Sequence, residues 1–356
     1  MMSPNHPMIW IGIPLLAGLA SLVFILVLTP FAERLRLIDE PDQRKRHGTS
    51  VPMVGGIAIY LVILSAMMVF DPPQKLAWLM LSGSLLVAVG ALDDAFGLGV
   101  KTRFAAQVLA SVLMVVGSGL WIQSLGLEFG GLTSIAPWLG IAFTVFAMVG
   151  LTNGFNMVDG IDGLASGHML IGLATVGLTL FNVHGYVHQM EWLVVLFSAV
   201  FAFWLVNLSL TPLMRVFLGD AGSLLLGFIM GWTLIYYTQK PVALLHPTEA
   251  LWCVTIPVFD TVVIIARRLK NKRSPFAPDR NHLHHLLVDI GIQPSVTLAL
   301  ILGLSMLLNA FGIWITYAIS PEASLVAYGI LLVGFGYATL HPSIERQIAL
   351  KLRLID

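Results

Sequence analysis

Asn153-Gly-Phe-Asn156-Met-Val-Asp159-Gly-Ile-Asp162-Gly163-Leu164 lies between two apolar runs, Trp138 to Leu151 and Met169 to Val183. Two Asn and two Asp therefore stand at the mouth of a bilayer span, where ionisable side chains are costly and usually serve function. Their hard oxygens and amides suit a polar ligand and a divalent cation of the magnesium type. A turn between two helices needs fewer polar residues than these four spread over ten positions.

Outward from this stretch the chain is apolar almost throughout. Of 356 residues, 57% are hydrophobic and only 11% charged, and mean hydropathy is +0.88. A soluble domain of this length carries far more surface charge. The composition predicts one polytopic, all-α membrane domain over residues 1–356. Zero formal net charge gives no reason to expect nucleic acid. The single cysteine, Cys253, excludes an internal disulfide and a thiolate metal site. Met1 to Trp10 contains no Lys or Arg, unlike the start of a cleaved signal peptide, so the first apolar run reads as a retained span.

Eleven runs approach or reach spanning length: 8–30, 53–70, 76–92, 104–122, 136–153, 167–184, 192–210, 221–238, 248–266, 295–318 and 324–341. The segment 123–135 reads as an exposed loop, and no internal repeat is evident. Seventeen Lys and Arg fall in one set of loops and the tail, against Lys75 and Lys240 in the other. By the positive-inside rule the N-terminus is outside and the C-terminus cytoplasmic. Asp93, Asp94, Asp159, Asp162, Asp220 and Asp279 then gather on the cytoplasmic side with His282, His284 and His285. A transporter more often holds such groups near the bilayer midplane; here only Asp260, late in the ninth run, could be one, and it could equally face a cytoplasmic-side cleft.

Three more polar clusters accompany the first. Asp93-Asp94 ends one run, and Lys101 and Arg103 begin the next. Adjacent carboxylates repel and need a metal, a proton or a basic partner, although such a pair also occurs at ordinary solvated helix ends. Gly219-Asp220-Ala-Gly-Ser223 runs into a span; Asp220 is either a helix N-cap or a carboxylate beside backbone N–H groups that suits a metal–phosphate complex. A long loop carries Arg267, Arg268 and Ser274-Pro-Phe-Ala-Pro-Asp-Arg280-Asn-His282-Leu-His284-His285. Guanidinium and imidazole groups there form a natural anion clamp. A zinc site is less well provided for, with only Asp279 and Asp289 as further ligands in the loop. Arg44-Lys-Arg-His47 either anchors the chain on anionic lipid or guides a lipid phosphate. Acids for a cation, cations for phosphates and a lipid-embedded frame together describe phosphoryl-group transfer at a membrane surface, which needs positioning and charge neutralisation.

In this order, Asp-Asp, Asn-x-x-Asn-x-x-Asp-Gly-x-Asp-Gly-Leu, Gly-Asp-x-Gly-Ser and His-x-His-His, the chain resembles the polyprenyl-phosphate N-acetylhexosamine-1-phosphate transferases over nearly its whole length. Arg44-Lys-Arg-His47, Val54-Gly-Gly56 and Ser274-Pro-Phe-Ala-Pro-Asp-Arg280 look like the bacterial undecaprenyl-phosphate N-acetylglucosamine-1-phosphate transferases that initiate O-antigen and enterobacterial common antigen. The phospho-MurNAc-pentapeptide transferases share the architecture, but the Ser-Pro-Phe-x-Pro-Asp-Arg run looks wrong for them. The resemblance implies UDP-GlcNAc and undecaprenyl phosphate as substrates, at the bacterial inner membrane, with undecaprenyl-PP-GlcNAc and UMP as products. Other UDP-N-acetylhexosamines are alternative donors. It implies Mg2+, or Mn2+, held by Asp220 and Asn156, and leaves a homodimer open. Asp93 is implied as base or orienter of the lipid phosphate with Asp94 in support, and Asp159 and Asp162 in nucleotide recognition or metal support. Lys101, Arg103, Arg268, His282, His284 and His285 are implied as contacts to phosphates or sugar nucleotide. Arg280, Arg44 and His47 complete the expected substrate-binding set. Hypotheses outside the family are a transporter or flippase, with acids at span centres, and a scaffold, which leaves the polar clusters unexplained.

Overall fold

The computed structural model describes residues 11–40, 50–69, 74–127, 134–185, 189–274 and 282–340. Arg44, His47 and Arg280 lie outside them. Thirteen α-helices are seen among the described residues: α1 (Ile13–Leu28), α2 (Gly55–Val69), α3 (Gln74–Phe96), α4 (Val100–Ser118), α5 (Pro137–Val158), α6 (Leu164–His184), α7 (Met190–Asn207), α8 (Gly219–Thr238), α9 (Pro247–Cys253), α10 (Thr255–Lys270), α11 (Leu283–Asp289), α12 (Pro294–Ala318) and α13 (Pro321–Leu340). A two-residue antiparallel pair, β1 (Ile38–Asp39) with β2 (Val51–Pro52), leads into α2. Between α4 and α5 the described residues of 123–135 form no helix, as the sequence predicts.

Each expected span falls on a helix or helix pair, but not all are long enough to cross a membrane. Among the described residues nine helices have the length and apolarity to do so, or ten if α9 and α10 count as one broken span. These two meet at 79°. Proline explains the break: Pro257 has no N–H to give to the residue-253 carbonyl. The remaining expected span, 53–70, falls on α2, which has 15 described residues and lies below that length.

The bundle is built around α8. Its apolar window is wholly buried, and α2, α3, α5 and α6 pack against it. Bilayer helices gain no hydrophobic benefit from touching one another, so close contact relies on small residues. Gly56 of α2 faces Gly222, and Gly90 of α3 faces Ala221; a Cβ on either glycine would overlap the α8 backbone. Farther along, a Cβ on Gly227 would stand 2.7 Å from the Thr152 Cα of α5. Main-chain bonds lock the same register: Gly55 and Gly56 N–H donate to the Phe217 and Leu218 carbonyls at 3.0 Å, and Phe217 N–H donates to Pro52 at 2.8 Å. These contacts bring the C-terminal ends of α3 and α5 to the N-terminal end of α8, which are the ends that carry the acidic motifs.

Candidate active site

The first acid pair divides its work. Asp93, at 8% exposure, accepts the Leu98 N–H through Oδ1 at 2.5 Å and the Arg103 guanidinium through Oδ2 at 2.8 Å. Asp94 turns to α8: Oδ1 accepts the Asp220 N–H at 2.8 Å and Oδ2 the Ala221 N–H at 3.2 Å. The first N–H groups of a helix have no partner within it; here a carboxylate from another span supplies one. Asp220 is therefore not the N-cap that its position allows. It lies inside the first turn of α8, and the N-cap position, Leu218, makes no side-chain bond.

Its carboxylate is left for the site. Oδ1 accepts the Asn156 amide at 2.6 Å, and Oδ2 stands 3.4 Å from Arg103 Nη1. Asn156 also donates to Ser223 Oγ at 2.9 Å. Arg103 thus bridges the first and third motifs, and Asn156 ties the second to the third. Lys101 is exposed two residues before Arg103, at the start of α4. Asn153 pairs side chain to side chain with Gln107, binding α5 to α4 below the site.

Beyond α5 the motif becomes a loop. Asp159 is half-buried. Burial first, then the negative charges of Asp220 and Asp94, push its pKa up to about 8. The loop is pinned by Asn207, whose Oδ1 accepts the Gly163 N–H at 2.7 Å, and by Trp204 Nε1 on the Gly163 carbonyl at 3.0 Å. Asp162 forms an ion pair with Arg215. The pair lines a cavity of about 430 Å³ with Asn207, Ser209, Gln293 and Leu298.

The histidines meet this loop. His284, 1% exposed, lies against Gly160, where a Cβ would collide with its Nε2. That nitrogen is buried without a hydrogen-bond partner. Burial, aided by His285, His282 and His168, pulls its pKa down to about 3, so the ring is neutral. His285 packs on His284 at 4.2 Å between ring centroids. His282 Nδ1 lies 2.6 Å from Asp260 Oδ2. Arg268, 3% exposed, ends the buried face of α10 that carries Asp260.

The structure thus brings Asp93, Asp94, Arg103, Asn156, Asp159 and Asp220 together at one end of the bundle, with His284 against their loop. It sets Asp162 apart in the neighbouring cavity and leaves Lys101 on the rim. Gln107, Arg215 and Asn207 carry no sequence signal of their own, because their roles depend on packing between helices. Asp260 did carry one, as an acid late in a span.

The donor set has the character of a site for a hard divalent cation. Carboxylates outnumber the cations bonded to them, and burial, followed by the charges of Asp220 and Asp94, raises the proton affinity of Asp159, a rise that a nearby positive charge would oppose. Among the described residues no three His, Cys, Asp or Glu form a ready-made cage. Magnesium does not need one, since it keeps several waters and takes one or two carboxylates plus substrate phosphates.

Residues 76–238 match the glycosyl transferase family 4. The chain is 36% identical to the undecaprenyl-phosphate alpha-N-acetylglucosaminyl 1-phosphate transferase of Yersinia pestis, over 90% of this chain and 88% of that one. It is 36% identical to the protein of that name in Escherichia coli strain K12, over the same shares. Its identity to the Haemophilus influenzae protein is 33%, over 91% of this chain and 92% of that one.

Proposed function

This chain belongs to the polyprenyl-phosphate N-acetylhexosamine-1-phosphate transferases of glycosyl transferase family 4, and we infer that it transfers GlcNAc-1-phosphate from UDP-GlcNAc to undecaprenyl phosphate. The products are undecaprenyl-PP-GlcNAc and UMP. A lipid phosphate oxygen bonds to the β-phosphorus of the donor as the bond from that phosphorus to the bridging oxygen breaks, and UMP leaves with that oxygen. One phosphoanhydride replaces another, so the reaction is readily reversible. The acceptor phosphate is already largely ionised near pH 7, which leaves a strong base little to do.

One observation carries this reading: Arg103 joins Asp93 to Asp220 while Asn156 joins Asp220 to the Asp159 loop, at a single bundle end. Asp93 holds Arg103 where two phosphates meet. Asp220 and Asn156 would hold Mg2+, or Mn2+, which supplies charge neutralisation to the phosphates when bound. Lys101, Arg268, His282, His284 and His285 receive the phosphates and the sugar nucleotide, with Arg280, Arg44 and His47 at the approaches. The cavity beside Asp162 is the place for the donor nucleotide. The protein is a bacterial inner-membrane enzyme of eleven spans, with its N-terminus outside and its active site on the cytoplasmic side. The product feeds O-antigen-type glycan assembly.

A transporter reading loses its main support, because Asp260, the one acid that fitted it, is bonded to His282. The deciding assay uses purified protein, undecaprenyl phosphate and radiolabelled UDP-sugars, with and without magnesium. Label from UDP-GlcNAc should enter the lipid phase with release of UMP, and EDTA should stop it until magnesium is restored. Transfer from UDP-GalNAc, UDP-QuiNAc or UDP-FucNAc instead would reassign the donor. Transfer from no donor would overturn the reading.

A further inference from the structure

We propose that Asp260 is a positioning residue for the transfer: it holds His282 with Nδ1–H turned to the carboxylate, so that Nε2 is the nitrogen offered to the substrate. The proposal rests on the transferase reading above. Asp260 lies in α10 at 3% exposure and His282 at 5%. Oδ2 is 2.6 Å from His282 Nδ1, and Oδ1 accepts the Leu283 N–H at 3.0 Å. A carboxylate has no proton to give, so Nδ1 is the donor whether the ring is neutral or charged.

A purely structural role does not account for this choice. Helix α11 could be capped locally by Ser, Thr or Asn at residue 282, as helices usually are. The chain instead has a histidine there whose side chain caps nothing, and draws its acceptor from 23 residues away. Burying a carboxylate is expensive unless it is paired. A neutral cap would serve the helix, but it would not fix the tautomer of an imidazole or stabilise it as a cation. The face of α10 explains how the partner is placed: Asp260, Ile264 and Arg268 recur at four-residue spacing, all buried. One helix thereby aligns a guanidinium and the anchor of an imidazole.

An amide at 260 has a single oxygen. If that oxygen keeps the Leu283 N–H, its NH2 faces Nδ1 and drives the ring to the other tautomer. In purified full-length protein, Asp260→Asn should lower kcat about a hundredfold, with KM for UDP-GlcNAc changed less than about threefold, and Asp260→Glu should recover part of the loss. His282→Gln should be no further impaired by adding Asp260→Asn, since the two act as one unit. Losses that multiply in the double variant, or full activity of Asp260→Asn, would overturn the proposal. A second measurement needs no folded variant at 260. Nitrogen-15 spectra of histidine-labelled wild-type protein, assigned by the resonance missing in His282→Gln, should show a protonated Nδ1; a neutral Nε2–H tautomer there would refute the proposal. Wild-type UMP release in the same preparation tests the transferase reading separately, so either can fail alone.

Discussion

Asp94 and Asp220 are both acids in glycine-rich or acidic motifs, yet their bonds give them opposite tasks. Asp94 spends both oxygens on backbone N–H groups of α8, so Asp94→Ala removes a cap and its favourable charge at a helix start. It should cost about 1–2 kcal/mol of stability, seen as a lower melting temperature in detergent. Asp220 makes no such bond, and it stands among like charges. Asp220→Asn should leave the melting temperature unchanged or higher while cutting UMP release by about two to three orders of magnitude. A variant as active as wild type with magnesium present would remove Asp220 from the proposed cation site. His284 gives a pH prediction. Its folded pKa, about 3, lies below the unfolded value of 6.5, so below that value the unfolded chain binds a proton that the folded one refuses. Stability then falls as pH drops from about 6.5 toward 3. His284→Asn should lose less melting temperature between pH 7 and pH 5 than wild type, and an equal loss would contradict the assignment.

Helix α8 shows how packing sets chemistry. The site exists because α2 and α3 approach its N-terminal turn at Gly56 and Gly90, closely enough that neither position has room for a side chain. Gly56→Ala should therefore cost about 1–3 kcal/mol through overpacking. It should also reduce transfer by far more than its distance from the phosphates suggests, because a shift of about 1 Å at a reacting group can cost a hundredfold. Gly303→Ala in α12, where a Cβ meets nothing within 4 Å, is the control and should leave both stability and rate unchanged. The existence of α8 was legible in the sequence, since an apolar run after Gly219-Asp220 needs no tertiary knowledge. The partner of each acid was not. Whether Asp93 or Asp94 turns toward Arg103 depends on helix rotation, which Gly90 fixes against Ala221. The break between α9 and α10 is likewise hidden in a continuous apolar run, with Pro257 as its one mark.

At the scale of the whole molecule, hydropathy located the helices and charge asymmetry suggested their direction, but the two signals have different physical reach. An apolar run reports burial in lipid or in protein without saying which, and this is why the expected spans include the wholly buried α8 as well as the short α2. Loop charge reports the side of the membrane on which a loop rests. The acids of α3, the α5–α6 loop and α8, with the histidines of α11, converge at one end of the bundle, as a single site requires. The same bundle places Lys101 at that end, and Lys240, just beyond α8, at the other. The only native thiol, Cys253, is buried at 4% exposure, so new cysteines can be read against a quiet background. In intact cells Lys240→Cys, exposed just beyond α8, should react with a membrane-impermeant maleimide. Lys101→Cys, also exposed, should react only after the membrane is opened. The reverse pattern would invert the topology and put the site outside, away from any cytoplasmic sugar nucleotide. Labelling of both from one side would break the span count between α4 and α8.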